Sequence, residues 1–164
     1  MPGSGKTTIA AKLSQSLKSF QLIETDAVIR DKVLKKYGLS ITEFIDSFGT
    51  DQYKNIEYSS IKSALEEDSF ILSPGGSICY YQDLMEAISS DPQTLVVYLK
   101  ASLHSIKSRI GDYSKRGVIV PKDQTFEQLY TERCEIYKIH STICIDTTEY
   151  TVPVIVSNLV SLLC

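Results

Sequence analysis

The chain has 164 residues, 43% of them apolar, and its 17 basic and 20 acidic residues leave a net charge of −3. That length fits one globular domain, and the charge balance offers no basic field for a polyanionic backbone, which argues against a nucleic-acid binder. The longest apolar runs, such as Leu95–Leu99, fall far short of the roughly 20 residues of a membrane span, and the first residues lack the basic-then-apolar pattern of a secretory signal. Four scattered cysteines (Cys79, Cys134, Cys144, Cys164) form no CxxC pair, as expected of reduced thiols rather than a disulfide frame or zinc site. The expectation is a cytoplasmic domain working on a small molecule, with no nucleic-acid or membrane partner, and monomeric.

Ile9, Leu13 and Leu17 recur at i, i+4, i+8, one face of a helix. Phe20 to Ile23 reads as a short strand. Helical stretches follow at Ala27 to Tyr37, broken by Gly38, and at Thr42 to Phe48, broken by Gly49; Ser40 with Glu43 makes a capping box for the second. A longer helix is expected over Gln52 to Leu65, then a strand at Phe70–Leu72 that stops at Pro74-Gly75-Gly76. Asp83 to Ile88 is helical, Leu95–Leu99 is a strand, and Leu103 to Ile110 a helix. Gly111 to Gln124 carries mostly charged residues and reads as a mobile loop. Thr125 with Gln128 caps a helix running through Tyr137, Ile143–Ile145 is a last strand, and Val154 to Leu163 a last helix. Short apolar strands separated by helices give a parallel α/β sheet with right-handed crossovers and both faces covered.

Gly3-Ser4-Gly5-Lys6-Thr7 is the strongest local signal. Its glycines let the backbone wrap a polyphosphate in conformations a Cβ would obstruct, and the helix behind it points free N–H groups at the phosphates. Lys6 would bridge the β- and γ-phosphates of ATP and the Thr7 hydroxyl would ligate Mg²⁺, with Thr8 in the same turn. The alternative, a glycine-rich turn before an ordinary helix, fits poorly with Gly-Lys-Thr opening an amphipathic helix. The full pattern GxxxxGK[ST] needs a glycine one position upstream of Met1, and the strand that ordinarily feeds the loop is absent from the sequence. Where that strand is central, its loss opens a gap in the sheet with unpaired neighbours. The expectation is a natural protein that starts earlier.

Glu24-Thr25-Asp26 ends the first strand, at the rim where parallel sheets bind ligands. Glu24 is expected to hold Mg²⁺ through water, and Asp26 to orient an acceptor hydroxyl; a solvated helix start would explain Asp26 equally well. Gly75 and Gly76 bring backbone N–H groups near an anionic or hydroxylated ligand. Arg109 before the mobile loop, Arg116 within it and Arg133 after it suit a lid that neutralises transition-state charge. Lys54 and Glu57, at i, i+3, also fit a surface pair worth a few tenths of a kcal/mol. His104 and His140 stand alone and read as structural.

Together these residues resemble the shikimate kinase family, along nearly the whole chain: Gly3-Ser4-Gly5-Lys6-Thr7, Glu24-Thr25-Asp26, Ser73-Pro74-Gly75-Gly76, the lid with Arg116, and Tyr130-Thr131-Glu132-Arg133 followed by Tyr137. The resemblance implies a P-loop kinase fold whose five-stranded parallel sheet has order 2-3-1-4-5, the first strand missing here. It also implies helices on both faces, a lid over 111–124 and an acceptor-binding helical segment over 27–66. The implied activity is ATP-dependent phosphorylation of shikimate to shikimate 3-phosphate. Asp26 would contact the substrate hydroxyl, Arg133 its carboxylate, Arg109 and Arg116 would face ATP, and Pro153 would lie by the adenine. Three departures stand out: Glu24 in place of Asp, Pro74 in place of a glycine, and Lys54 where the pattern FRxxE places an arginine. Lysine cannot reproduce a guanidinium's two-pronged grip on a carboxylate. Two alternatives stay open, a P-loop kinase for another metabolite or nucleotide and a non-catalytic nucleotide-binding protein.

Overall fold

A computed structural model describes residues 1–111 and 123–163. Arg116 and nearly all of the expected lid, together with Cys164, lie outside the described residues. In chain order come α1 (Lys6–Ser16), β1 (Gln21–Glu24), α2 (Thr25–Tyr37), α3 (Ile41–Phe48), α4 (Thr50–Ala64) and β2 (Phe70–Ser73). A 3₁₀ turn (Gly76–Tyr80) leads to α5 (Gln82–Ser90), β3 (Val97–Lys100) and α6 (Leu103–Ile110), and then α7 (Phe126–His140), β4 (Ile143–Asp146) and α8 (Val152–Leu163) complete the chain.

Both expected capping boxes form: Ser40 with Glu43 opens α3 and Thr125 with Gln128 opens α7. Gly38 ends α2 in the left-handed region (φ 67°), its N–H donated to the Leu34 carbonyl. The third strand starts at Val97 rather than Leu95, because the Val96 N–H donates to the Thr142 hydroxyl instead of a ladder carbonyl. The 3₁₀ turn was not legible in the sequence.

The strands form two parallel pairs. Gln21–Glu24 lies in register with Phe70–Ser73, and Val97–Lys100 with Ile143–Asp146. Alternate residues of each pair face opposite helical layers. Ile71 of β2 and Val97, Leu99, Ile143 and Ile145 of the other pair share one core with Ile9 and Leu13 of α1 and Ile155 and Leu159 of α8. On the opposite face Leu72 packs with Ile61, Leu84 and Met85, and Tyr98 meets Cys134 and Tyr137 of α7. One helical layer thus spans both pairs, and the slot between them, about 740 Å³, is lined by β2 on one side and β3 on the other. A smaller apolar cluster of Ile29, Val33 and Phe44 ties α2, α3 and α4 together beside the sheet. No helix among the described residues is long and apolar enough to cross a membrane.

Candidate nucleotide and acceptor site

The residues before α1 fold as a tight loop whose glycines are required by geometry. Gly3 (φ 74°) and Gly5 (φ 93°) sit in the left-handed region, and a Cβ on Gly3 would lie 2.6 Å from Ile110 Cγ2. A cavity of about 520 Å³ opens over the loop, lined by Gly3 to Thr8, Asp26, Arg109, Thr147, Tyr150 and Val152. Thr7 and Thr8 are exposed in the first turn of α1. Ser4 is 1% exposed and its hydroxyl has no hydrogen-bond partner among the described residues. An orphaned polar atom inside a loop of this shape fits a phosphate oxygen.

Lys6 Nζ donates to the Met1 carbonyl at 3.0 Å. Burial lowers its pKa, Asp26 pulling it back up and Arg133 adding to the fall. Arg109 donates through Nη1 to the carbonyl of Gly3 (3.2 Å) and the Thr147 hydroxyl (3.1 Å), and through Nη2 to the Thr147 carbonyl (3.0 Å). It braces the phosphate loop against the turn after β4. Pro153 is exposed in the first turn of α8 and does not line the cavity; Tyr150 and Val152 form that wall. Glu24 ends β1 opposite Ser73, and its Oε1 is buried with no hydrogen-bond partner among the described residues. That orphaned acceptor fits the water shell of a hard cation.

The acceptor side is built where β1 and β2 end. Asp26, in the first turn of α2, is exposed to the nucleotide cavity. Thr25 beside it is fully buried and its Oγ1 accepts the Gly75 N–H at 3.2 Å. Gly75 therefore supplies room rather than a free donor: a Cβ there would lie 2.9 Å from Glu57 Oε1 and 3.0 Å from Asp26 Oδ1. A Cβ on Gly76 would lie 3.1 Å from both Arg133 Nη1 and the Tyr137 hydroxyl, and Tyr137 donates to the Gly76 carbonyl at 2.6 Å.

Arg133 is 6% exposed. Its Nε donates to the Tyr80 hydroxyl at 3.3 Å and its guanidinium carbon lies 5.1 Å from the Tyr80 ring centroid. Among the described residues it makes no ion pair. Burial works against its charge, but the Tyr80 hydrogen bond and nearby Tyr137, Tyr80 and Cys79 outweigh that, so its pKa lies above the ordinary value.

Lys6, Asp26, Gly75, Gly76 and Arg133 thus converge, whereas Lys54 does not. Its ammonium lies 3.6 Å from Asp51 on the outer side of α4, more than half exposed, as a flexible, strongly hydrated charge does when an acid one turn away is available. Nor do Lys54 and Glu57 form a surface pair, because Glu57 is 1% exposed and bonded to Ser77 and Tyr81. Thr25, Ser77, Tyr80 and Tyr81 were not singled out in the sequence. Only Thr25 carried a signal, its place between two acids at a strand end.

Comparison with known proteins bears on this arrangement. A family profile described as Shikimate kinase matches residues 2–164. The shikimate kinase of Clostridium botulinum (strain Okra / Type B1) is 33% identical over 148 residues, which cover 88% of this chain and 83% of that one. The shikimate kinase of Mycobacterium ulcerans (strain Agy99) is 32% identical over 149 residues, covering 90% and 77%. Among solved structures, the shikimate kinase from Acinetobacter baumannii in complex with shikimate superposes with a TM-score of 0.80 at 20% identity, over 98% of this chain and 88% of that one. The shikimate kinase from Aquifex aeolicus gives 0.73 at 23% identity, over 98% and 90%. At such identities the structural likeness carries the fold alone.

Proposed function

The chain belongs to the shikimate kinase family, and from that membership and the site's geometry we infer that it transfers the γ-phosphate of ATP to a hydroxyl of shikimate, giving shikimate 3-phosphate and ADP. The observation that carries the acceptor reading is Arg133, a buried guanidinium with no acidic partner among the described residues, facing the glycine turn across from Asp26. Such a charge calls for an anionic ligand, and a planar guanidinium matches a carboxylate.

Phosphoryl transfer asks a protein mainly for positioning and charge neutralisation. Lys6 would leave the Met1 carbonyl for the β- and γ-phosphates, and Ser4 and the loop backbone would cradle them. Asp26 would accept the hydrogen bond of the attacking hydroxyl, aim its oxygen in line and take its proton. Arg133 would hold the carboxylate and Gly76 would leave space for the ring. Arg109 would keep the loop in place, and Arg116 would add charge from the lid over 111–124. Thr7 and, through water, Glu24 would hold Mg²⁺, which when bound neutralises charge on the phosphate oxygens. The helical segment 27–66 would close over the acceptor. We read residues 1–164 as one kinase domain, monomeric and cytoplasmic, without nucleic-acid or membrane partners.

A sheet of order 2-3-1-4-5 is supported by the two parallel pairs, the helical layer common to both, and the apolar slot between β2 and β3. One extended segment of about five residues would fill such a slot and pair with both edges. Fusing five β-branched residues ahead of Met1 is expected to raise Tm by more than about 5 °C, a shift worth roughly 2 kcal/mol in a domain of this size. An unchanged Tm would remove the proposed order.

The activity itself is tested by ADP release from Mg-ATP with and without shikimate. A shikimate-dependent rate well above background is expected. ATP binding without stimulation would leave only a nucleotide-binding protein or a kinase for another acceptor.

A further inference from the structure

Glu57 is carried by α4 into the interior, where different hydroxyls hold its two oxygens. Ser77 donates to Oε1 at 2.5 Å and Tyr81 donates to Oε2 at 2.6 Å. The Tyr81 hydroxyl also lies 3.3 Å from the carbonyl of Lys54, one turn earlier on the helix. Its ring stands edge-on to Tyr58, centroids 5.5 Å apart, which fixes the direction from which the hydroxyl arrives. Burial first, and then the bond to Glu57, hold the Tyr81 phenol well above its ordinary pKa, so it remains a donor at neutral pH.

Among the described residues no cation pairs with Glu57, since Lys54 has turned to Asp51. A buried carboxylate lacking a counter-charge depends on its hydrogen bonds to stay where it is. Position matters here because Glu57 Oε1 and Asp26 Oδ1 close on the same side of Gly75, 2.9 and 3.0 Å from where its Cβ would be. A Glu57 free to rotate would change the wall that Gly75 and Asp26 present to an acceptor.

We propose that Tyr81 is a positioning residue for the acceptor: with Ser77 it holds Glu57 over Gly75. The proposal rests on the shikimate reading above. It explains how this chain keeps an ordered acceptor wall with a lysine at 54 that faces solvent.

The test compares wild type with Tyr81→Phe, with Ser77→Ala as a second route to the same loss. Tyr81→Phe keeps the ring against Tyr58 and removes only the donor. It is expected to raise KM for shikimate about tenfold, a coupling usual within one hydrogen-bond network, while KM for ATP stays within about twofold. The buried carboxylate, left with one donor fewer, also lowers Tm by several degrees. Ser77→Ala should move the same constant in the same direction. Unchanged KM for shikimate in Tyr81→Phe would overturn the proposal, as would equal rises in both KM values. An inactive wild type would overturn the activity reading and this proposal together, whereas an active wild type with unaffected variants overturns the proposal alone.

Discussion

Replacing Arg133 with methionine should separate stability from acceptor binding. The guanidinium is 6% exposed, and within the described protein it keeps one hydrogen bond, to Tyr80, and one ring contact. Losing the bond costs about 1 kcal/mol and losing the contact about 0.5–1 kcal/mol. Against this stands the cost of burying a charge, several kcal/mol when nothing compensates it. The tyrosine and cysteine neighbours that would favour the charge are themselves neutral at pH 7. Methionine fills similar space and removes both sides of the balance, so the unliganded variant should match wild type or exceed it by roughly 1–2 kcal/mol, a few degrees in Tm. Acceptor binding should fall sharply, because a two-pronged carboxylate grip is worth about 3 kcal/mol, roughly a hundredfold in KM for shikimate. The assay pairs thermal melts without ligand with steady-state kinetics in both substrates. Loss of more than about 1 kcal/mol of stability with KM for shikimate within threefold of wild type would refute the reasoning, since Arg133 would then be a structural residue.

Gly3→Ala should abolish ATP binding, because the added methyl group would meet Ile110 at 2.6 Å and the φ of 74° disfavours any side chain; calorimetry with ATP checks this. Asp26→Asn should lower kcat about 10²–10⁴-fold and leave the Kd for ATP nearly unchanged, and equal losses in both would count against its role at the hydroxyl. Because burial lowers the pKa of Lys6, the folded state binds its proton less tightly than the unfolded state does. Its ammonium therefore opposes folding below the lowered pKa, and stability should rise with pH from there toward the ordinary value of 10.5. Lys6→Met should flatten that rise in urea titrations between pH 7 and 10, measured as the difference from wild type.

What the sequence made legible follows from how local each cause is. Helices α2, α3, α6 and α7 could be placed because capping boxes, Gly38 and apolar spacing act within a few residues. The phosphate loop was legible for the same reason, its glycines and Lys6 being adjacent in the chain. Residues whose roles depend on packing between distant segments were not. Nothing near Glu57 in the sequence says that Tyr81, 24 positions away, will hold its carboxylate, or that Thr25 will accept an N–H from Gly75, 50 positions on. Spacing gave Lys54 and Glu57 a common face, but burial separated them, Lys54 to solvent and Glu57 to the interior.

Two of the three departures from the family pattern, Pro74 and Lys54, sit on the acceptor side of the site, and the structure shows how each is accommodated. Proline at 74 removes an N–H donor, but the turn does not hang on that donor: Thr25 holds it through Gly75 and Tyr137 through the carbonyl of Gly76. Lysine at 54 removes a guanidinium, yet Ser77 and Tyr81 hold the neighbouring Glu57 without one. Among the described residues no other side chain replaces a second two-pronged carboxylate donor, and in the proposed reading that leaves Arg133 as the principal grip. It reaches the turn from α7 and is ordered by Tyr80. The bonds of Lys6 and Arg109 on the nucleotide side depend on neither Pro74 nor Lys54, since they are made to the phosphate loop and the turn after β4. In the proposed reading, phosphoryl transfer and acceptor recognition meet where Lys6, Asp26 and Arg133 converge, Asp26 lining the nucleotide cavity and flanking Gly75. Changes at positions 54, 74 and 81 should therefore alter which acceptor binds, and how tightly, before they alter the handling of ATP.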